Sequence, residues 1–314
     1  MMTLEQLRIF VAVAERQHVT RAAQDLRLTQ SATSAAIAAL EARYATKLFD
    51  RVGRRIELTD AGRLFLVEAR AVLAQAAAAE ALLDDLAGLK RGTLKLAASQ
   101  TVANYCLPPL MHRFRREYPG VALHLAIGNT EQVATWVNDI TVDLGFVEGA
   151  VENPALSITP IAEDELVLVA SANHPWAAKD KLTPQDLIAT PWVLREAGSG
   201  TRAIFETALA GFGLAIADCT ILLELPSNEA VLAAVEDGAG ATVVSEVVAR
   251  ARIDAGSLLR RDIALPSRQF FALRHKERSL TRAQSEFLKL IAHDPHRCKP
   301  AAFGMGTRLL TARA

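Results

Sequence analysis

Cysteine, aromatic residues and net charge are all scarce in this sequence of 314 residues. The cysteines, Cys106, Cys219 and Cys298, lie far apart and form no CxxC pair. They indicate neither a disulfide framework nor a zinc site, and they favour a reducing compartment. Charged residues interrupt every apolar stretch of membrane-spanning length, and the N-terminus lacks the pattern of a secretory signal. We therefore expect a cytoplasmic protein without a membrane partner.

Catalytic and metal-binding motifs are also missing. The sequence contains no HExxH, P-loop, GxSxG or catalytic cysteine motif. Its seven histidines are scattered without the spacing of metal ligands. We therefore expect no enzymatic activity and no metal site, although fold alone does not decide function.

The chain is rich in apolar residues and is basic in one place. Hydrophobic residues make up 51% and charged residues 22%, which is typical of globular domains, and the length favours about two of them. Basic and acidic residues balance at 35 each, but residues 43–63 hold six basic residues against three acidic ones. A local excess is enough to bind phosphate, because charges are screened beyond about 10 Å. A merely solvated charged surface would have the same composition.

Short helices joined by a tight turn are predicted near the N-terminus. Apolar residues recur at helical spacing from Leu4 to Ala14 and define a first helix. Thr20 and Thr29 then stand in N-cap positions before a second helix and a third helix, which runs over about 30–44. This is the helix-turn-helix arrangement, whose second helix enters the major groove of DNA by its N-terminal end. An ordinary helical hairpin would have a similar pattern.

Polar residues at the start of the third helix are suited to contact DNA. Gln30 can offer a donor and an acceptor together to adenine, while Ser31 and Ser34 can serve bases or phosphates. After this helix, strands at 47–51 and 55–58 flank a turn at Gly53 and predict a small hairpin, or wing, whose tip residue Arg54 suits the narrow minor groove. The predicted DNA-binding residues are Thr20, Gln30, Ser31, Thr33, Ser34, Arg51 and Arg54.

Five short runs of residues stand at fixed spacing within the N-terminal sequence: Arg21-Ala22-Ala23, Gln30-Ser31, Leu40-Glu41, Leu48-Phe49 and Leu58-Thr59-Asp60-Ala61-Gly62. With these runs, the sequence over about residues 3–63 resembles the LysR family of bacterial transcription regulators. Many family members have arginine at the position of Ala35 and a polar residue near Ala36, so base readout should be weaker here. The resemblance therefore implies base contacts only for Gln30, Ser31, Ser34 and Arg54. The resemblance implies sequence-specific binding to double-stranded promoter or operator DNA.

A long alanine-rich helix is predicted from the N-cap Thr59 to about Leu89, where Lys90-Arg91-Gly92 ends it. Its apolar residues alternate at spacings of four and three, which is typical of a coiled-coil seam. These residues are Phe65, Ala69, Val72, Ala76, Ala79, Leu83 and Leu86. The alternative is a helix buried against its own domain. In the LysR family the corresponding helix pairs two subunits, which implies a homodimer here and leaves a homotetramer open.

Strands and helices alternate from Thr93 onward. Strands are expected at 94–98, 121–127, 143–147, 165–171, 192–195, 221–225, 242–248 and 269–274. Helices are expected at 102–118, 131–140 and 229–236 and after residues 201 and 281. This alternation predicts an α/β fold with mostly parallel sheet, arranged as two lobes with a ligand cleft between them.

Hydroxyl or amide residues precede a helix at four of the strand-to-helix junctions. Each junction alone would indicate simple N-capping. Four together would point free N–H groups and positive dipole ends into one cleft, which is a site for a small anion. Two arginines would add charge and bidentate geometry. The predicted effector-binding residues are Ser99, Thr101, Asn129, Thr130, Glu148, Arg195, Ser199, Thr201, Arg202 and Asn228.

Residues from about 92 to 292 resemble the co-inducer domain of LysR regulators, which is similar to type 2 periplasmic binding proteins. The stretches 127–130, 145–149 and 195–202 resemble the subgroup that regulates carbon fixation and sulfur assimilation. The resemblance implies a winged helix-turn-helix at 1–59, a linker helix at 60–91 and an effector domain at 92–294. Lobe I is expected at 92–162 and 267–294, lobe II at 163–266, and a disordered or loosely docked tail at 295–314.

A transcription regulator modulated by a small anionic co-inducer is the function that these features predict. The co-inducer is expected to be an inorganic oxyanion or a small carboxylate, with no other cofactor. A free-standing solute receptor would not carry the N-terminal helices, and an architectural DNA-binding protein would not need the two lobes. Activation and repression remain open.

Overall fold

The computed structural model describes residues 1–52, 55–86 and 92–293. Contacts divide the chain into two units. The first comprises Met1–Gly92 with Asn138–Val142, and the second comprises Thr93–Val137 with the chain from Asp143 onward. None of the helices in these ranges has the length and apolar character needed to span a bilayer.

The described residues of the first unit form four helices and a hairpin. Thr3 forms a capping box with Gln6 that starts the first helix. The strands pair antiparallel, with Phe49 opposite Leu58. In chain order the elements are α1 (Leu4–Arg16), α2 (Val19–Asp25), α3 (Gln30–Tyr44), β1 (Phe49–Val52), β2 (Arg55–Leu58) and α4 (Asp60–Leu86).

Aromatic rings form the centre of the first unit's core. The ring of Phe10 lies 5.3 Å from that of Phe49 on the hairpin and 4.8 Å from that of Phe65 on α4. Leu7, Phe10 and Leu40 are all buried in this cluster. Burial of each such side chain contributes about 1.5–3 kcal/mol, so one core holds the helices and the hairpin together.

The beginning of α2 differs from the prediction. The residue that caps it is His18, whose Nδ1 accepts a hydrogen bond from the backbone N–H of Arg21 at 3.4 Å. Thr20 therefore lies inside the first turn and is not the N-cap. The N-caps predicted for the other two helices are confirmed: Thr29 accepts from Ala32 N at 3.2 Å, and Thr59 accepts from Gly62 N at 2.9 Å.

The second unit contains two sheets and seven α-helices among its described residues. In chain order its elements are β3 (Gly92–Ser99), α5 (Leu107–Glu117), β4 (Val121–Gly128), α6 (Thr130–Asn138), β5 (Leu144–Glu148), β6 (Leu156–Asp164), β7 (Leu166–Ser171), α7 (Pro184–Ala189), β8 (Trp192–Arg195), α8 (Gly200–Gly211), β9 (Ile221–Leu225), α9 (Asn228–Glu236), β10 (Ala241–Ser245), α10 (Glu246–Asp254), β11 (Leu258–Arg261), β12 (Arg268–His275) and α11 (Arg282–His293).

The two sheets define the two lobes. Lobe I is built on the strand order β4-β3-β5-β12-β6, and lobe II on the order β11-β7-β10-β8-β9. The chain crosses between them twice, from β6 to β7 and from β11 to β12. The two-lobed architecture is therefore as predicted.

Both sheets are mixed, so the prediction of mostly parallel sheet is wrong. Strand pairs β3–β5, β8–β10 and β8–β9 are parallel. Pairs β5–β12, β6–β12, β7–β10 and β7–β11 are antiparallel. The strands that follow each crossing explain the difference: β7 and β12 each enter a lobe from the other one and run antiparallel to both of their neighbours in that sheet.

Several element boundaries also differ from the sequence-based expectation. The helix expected at 102–118 begins as a π-helical turn over Val102–Cys106, and α5 starts only at Leu107, before two prolines that lack backbone donors. The strand expected at 242–248 ends at Ser245, and α10 then buries Val248 in the core. The strand β6 was missed because its burial pattern does not alternate.

Candidate DNA-binding surface and effector site

The N-terminal turn of α3 presents a small polar surface. Gln30 and Ser31 are exposed and Ser34 is half-buried. Gln30 Nε2 donates to Ser34 Oγ at 3.2 Å, and the hydroxyls of Thr29 and Ser31 are 3.1 Å apart. These bonds are local and accessible to solvent, so the same groups can turn to base edges or phosphates.

The opposite face of α3 lies in the core and carries Thr33. This residue is 0% exposed, and its hydroxyl donates to the backbone oxygen of Thr29 at 3.1 Å. Ile37 and Leu40 on the same face are also buried. The assignment of Thr33 to the DNA-binding set was therefore wrong, because its 4-3 spacing with these apolar residues places it inside. Thr20 is exposed at the start of α2, and its DNA contact stays a prediction.

Glu41 holds the hairpin β1–β2 against α3. Its Oε1 accepts from the backbone N–H groups of Leu48 at 2.7 Å and Phe49 at 3.1 Å. Thr59 donates from its hydroxyl to the backbone oxygen of Lys47 at 2.8 Å. Glu41 was not singled out as a site residue, although it stands in the run shared with the LysR family. The side chain of Arg51 and all of Arg54 lie outside the described residues.

The predicted apolar seam of the linker helix α4 divides into a buried part and an exposed part. Phe65 packs on Phe10, and Ala69 is only 1% exposed, so the first part of the predicted seam belongs to the core of the first unit. Farther along, Val72 is 44% exposed and Leu83 is 69% exposed. The predicted dimer seam is therefore corrected to begin near Val72. The side chain of Leu86 and residues 87–91, where the helix was expected to end, lie outside the described residues.

In the second unit, polar groups from lobe I converge on Glu148 at the end of β5. Glu148 is 1% exposed. Ser99 and Thr101 donate from their hydroxyls to its two carboxylate oxygens, the latter at 3.4 Å. Thr130 donates from its hydroxyl to the backbone oxygen of Glu148 at 2.8 Å. Four of the predicted effector-binding residues are thus in direct contact.

Lobe II closes over these groups through Asn228 and Arg195. Asn228 Nδ2 donates to Thr101 Oγ1 at 3.3 Å, and Arg195 Nη1 donates to Asn228 Oδ1 at 2.7 Å. Arg195 also binds both carboxylate oxygens of Glu196, at 2.8 and 2.9 Å. Asn129 Nδ2 of lobe I donates to Glu196 Oε1 at 3.2 Å. A continuous hydrogen-bonded chain therefore crosses from one lobe to the other.

Arg268 is a central residue of this boundary that sequence analysis missed. It lies at the first position of β12 and donates to Asp164 Oδ2 from Nε at 2.7 Å and to Thr201 Oγ1 of lobe II from Nη1 at 2.8 Å. Ser245 donates to the other oxygen of Asp164 at 2.6 Å. Both members of the ion pair are buried. No local sequence pattern links Arg268 to partners 67 and 104 residues away.

The carboxyl groups of buried Glu148 and half-buried Glu196 respond differently to their surroundings. Burial raises the pKa of Glu148, and the nearest cationic atom, Arg268 Nη1 at 4.0 Å, only partly opposes the effect. Burial also acts to raise the pKa of Glu196, but the hydrogen bonds and charge of Arg195 outweigh it and lower that pKa. Of these two carboxyl groups, Glu148 is therefore the more easily protonated.

A groove of 560 Å³ opens beside the network, between the start of α6 and the start of α8. Thr130, Ser199 and Arg202 are the predicted site residues that line it. Ser199 Oγ is buried and has no hydrogen-bond partner in the described part of the chain. Arg202 binds Glu206 at 2.9 Å and also binds Glu224. The predicted site therefore divides into a closed network and an open groove.

Two family matches account for nearly the whole chain. Residues 87–294 match the LysR substrate binding domain, and residues 4–63 match the bacterial regulatory helix-turn-helix protein, lysR family. The chain belongs to the LysR family. It is a DNA-binding transcription regulator with an effector-binding domain, and the LysR family is not enzymatic, as the sequence predicted.

Curated LysR relatives include regulators of the predicted subgroup. The uncharacterized regulator YeiE of Escherichia coli K12 is 36% identical over 91% of this chain and 96% of its own. A probable RuBisCO transcriptional regulator of Cyanophora paradoxa is 36% identical over 82% of this chain and 80% of its own. CysL of Bacillus subtilis is 33% identical over 88% and 89%. The resemblance to the carbon-fixation and sulfur-assimilation regulators is thereby confirmed.

Solved structures show the same LysR fold. A full-length OxyR variant of Pseudomonas aeruginosa matches with a TM-score of 0.68 at 22% identity, over 95% of this chain and 96% of that one. The regulatory domain of Synechocystis CcmR, solved in complex with 2-PG, matches with a TM-score of 0.59 at 28% identity, over 65% and 97%.

Proposed function

We propose that this LysR regulator binds a small oxyanion or small carboxylate at the lobe boundary and that closure of the lobes on this effector changes its binding to promoter DNA. The observation that carries the proposal is the hydrogen-bonded chain from Ser99 and Thr101 to Asn228 and Arg195. Separation of the lobes would release these donors together. A ligand that bridges them favours the closed form by its differential affinity.

The groove supports the same proposal. Ser199 supplies an unpartnered hydroxyl directly before α8, and Thr130 is the first residue of α6, so two helix N-termini border the opening. Free N–H groups and the positive dipole ends of helices stabilise an anion. The CcmR domain, 28% identical, was solved with 2-PG bound, which supports a small-molecule site in this domain.

Calorimetric titration tests the effector assignment. Sulfate, sulfite, phosphate and small carboxylates are titrated into the wild type, into the double variant Thr101→Ala/Arg202→Ala, and into Thr220→Ala, whose exposed side chain lies away from the site. At least one anion should bind the wild type and Thr220→Ala equally and the double variant at least about tenfold more weakly. No binding, or equal binding to the double variant, would contradict the site.

DNA recognition is assigned to the N-terminal turn of α3, with Gln30, Ser31 and Ser34 toward the major groove. Operator DNA is first selected from a random library with the purified protein. Gln30→Ala should then lose about 1–3 kcal/mol of binding at one base pair of each half-site. Gln185→Ala, an exposed glutamine on α7, should bind as the wild type does. Equal loss on selected and random DNA would make Gln30 a phosphate contact instead.

The protein is proposed to form a homodimer through α4, so that the α3 helices of the two subunits contact one operator. Its seam would contain the exposed residues Val72 and Leu83. Val72→Asp with Leu83→Asp should give monomers in analytical ultracentrifugation, whereas Ala77→Asp, about 140° around the helix from Val72, should remain dimeric. Dimers of the double variant would disprove this seam. The regulator would act in the cytoplasm, where promoter DNA is found.

A further inference from the structure

Glu148 is an unexpected residue for the centre of an anion site. Its carboxylate is buried at the lobe boundary, where it accepts hydrogen bonds from the hydroxyls of Ser99 and Thr101. Those two hydroxyls are the donors that an anionic effector would need. The carboxylate of the chain itself therefore occupies the position of an anion in the closed lobes.

Positive charge around Glu148 is already balanced by other carboxylates. The charged groups that face it are Arg268 from β12, Asp164 from β6 and Arg195 from β8. Arg268 binds Asp164 through Nε and Nη2, and Arg195 binds Glu196 through two hydrogen bonds. A fully deprotonated anion placed beside an ionised Glu148 would therefore put two negative charges side by side in a buried site, which is strongly unfavourable.

One proton shared in a hydrogen bond between the two groups lowers this repulsion, because it lies between their negatively charged oxygens. We propose that Glu148 determines specificity by accepting a hydrogen bond from the effector, so that the site selects small oxyanions that carry a proton, such as hydrogen phosphate, hydrogen sulfite or hydrogen carbonate, over sulfate. The inference rests on the proposed function, in which the effector is a small anion at this boundary. A proton-bearing anion brings its own donor, whereas sulfate binds only if Glu148 itself first takes up a proton from solvent.

The geometry also explains how Glu148 could reach a ligand. Thr201 and Asn228 of lobe II cover its neighbours Arg268 and Thr101, and a Cβ atom on Gly200 of lobe II would lie 2.2 Å from the backbone oxygen of Glu148. The residues that separate Glu148 from the cleft therefore belong to the opposite lobe. Opening of the lobes exposes the carboxylate to the cleft together with its hydroxyl partners.

Titration calorimetry on the full-length protein compares phosphate, sulfite and bicarbonate with sulfate at pH 7. The proteins are the wild type, Glu148→Gln and Glu165→Gln. Glu148→Gln keeps the shape but removes the charge and replaces one of the two carboxylate oxygens with an NH2 donor. Glu165→Gln is the control at an exposed carboxylate. The wild type and Glu165→Gln should bind a proton-bearing anion about 100-fold or more tightly than sulfate, since an unpaired buried acceptor strongly discriminates against a ligand without a donor. Glu148→Gln should reduce this preference to less than about tenfold.

Each result decides between the two proposals. Anion binding without preference in the wild type, or a preference that survives Glu148→Gln, overturns the role of Glu148 and leaves the anion site intact. No anion binding to any of the three proteins overturns the anionic effector, and the role of Glu148 with it. If Glu148→Gln does not fold, sulfate affinity of the wild type is measured from pH 5 to 9. It should fall as the pH rises, and a constant affinity would contradict the inference.

Discussion

The recognition helix and the lobe boundary hold their functional side chains in opposite ways. In the N-terminal turn of α3, Gln30, Ser31 and Ser34 are exposed or half-buried and bond to residues no more than four positions away, as Gln30 does to Ser34. At the lobe boundary they are buried and bond across the sequence, as Arg268 does to Thr201 and Asn228 to Gln100, 128 residues away.

The difference follows from what each region must do. Donors and acceptors that read DNA must remain free in the absence of DNA, and water satisfies them there. Groups that meet when two lobes close are removed from water, so each needs a partner within the protein or the ligand. The first kind of site can be read from one helix, and the second only from the assembled domain.

Removal of Arg268 should have the largest effect. Arg268→Met leaves Asp164 charged and buried, which should lower the free energy of unfolding by about 3–5 kcal/mol. The exposed pair Arg16–Asp25 in the first unit is the control, and Arg16→Met should cost no more than about 1 kcal/mol. Urea denaturation measures both, with tryptophan fluorescence for the second unit, which holds all three tryptophans, and circular dichroism for the first. Equal losses would show that burial does not separate the two regions.

Two glycines of α8 test how closely the lobes approach each other. A Cβ on Gly200 would lie 2.2 Å from the backbone oxygen of Glu148, whereas a Cβ on Gly211 would meet nothing within 4 Å. Gly200→Ala should therefore cost about 1–3 kcal/mol and weaken effector binding, because the lobes must shift apart. Gly211→Ala should be neutral or slightly stabilising. Tryptophan fluorescence in urea and titration calorimetry check these outcomes. A neutral Gly200→Ala would mean that the lobes do not meet there.

Neighbouring residues of α3 should separate stability from DNA binding. Thr33→Val removes a buried hydroxyl that bonds to Thr29 and should cost about 1 kcal/mol of stability without changing sequence preference. Ser34→Ala should leave stability within about 0.5 kcal/mol and weaken binding to selected operator DNA. Circular dichroism in urea and fluorescence anisotropy with labelled DNA distinguish the two. A loss of sequence preference in Thr33→Val would return Thr33 to the DNA-binding set.

The pH dependence of stability should show the smallest effect. Burial raises the pKa of Glu148, so the folded protein holds this proton more tightly than the unfolded chain does. The resulting stability is present below the ordinary pKa of glutamate and is lost as the pH rises through the raised value. The wild type should therefore lose stability relative to Glu148→Gln as the pH rises above the ordinary pKa of glutamate, which urea denaturation at a series of pH values measures. A constant difference would mean that Glu148 has an ordinary pKa.

Much of the DNA-binding region was predictable because its signals are local. The caps at Thr29 and Thr59 are each contained within a few residues, and the structure confirms them. The spacing of Thr33 from Ile37 and Leu40 places it on the inner face of α3, yet the residue was assigned to DNA. In this case the pattern was more informative than the residue type.

The effector site was predictable as a set of residues but not as an arrangement. Ser99, Thr101 and Asn228 were recognised because each stands beside the start of a helix. Arg268 and Asp164, which bond to each other and through Arg268 to Thr201, were missed, since β6 gave no periodic signal and β12 and β6 pair only in the folded sheet. Glu196, which bonds to Arg195 and Asn129, was missed as well.

The amino-acid sequence by itself determined the helix-turn-helix, the linker helix, the two-lobed α/β domain and membership of the LysR family. These follow from hydrophobic periodicity, helix caps and characteristic residue runs, which act over short stretches of chain. Only the tertiary structure decided that Phe65 and Ala69 pack in the core, that both sheets are mixed, and that Arg268 joins Asp164 to Thr201. Such contacts depend on which strand ends meet when distant segments pair, and no local pattern specifies that geometry.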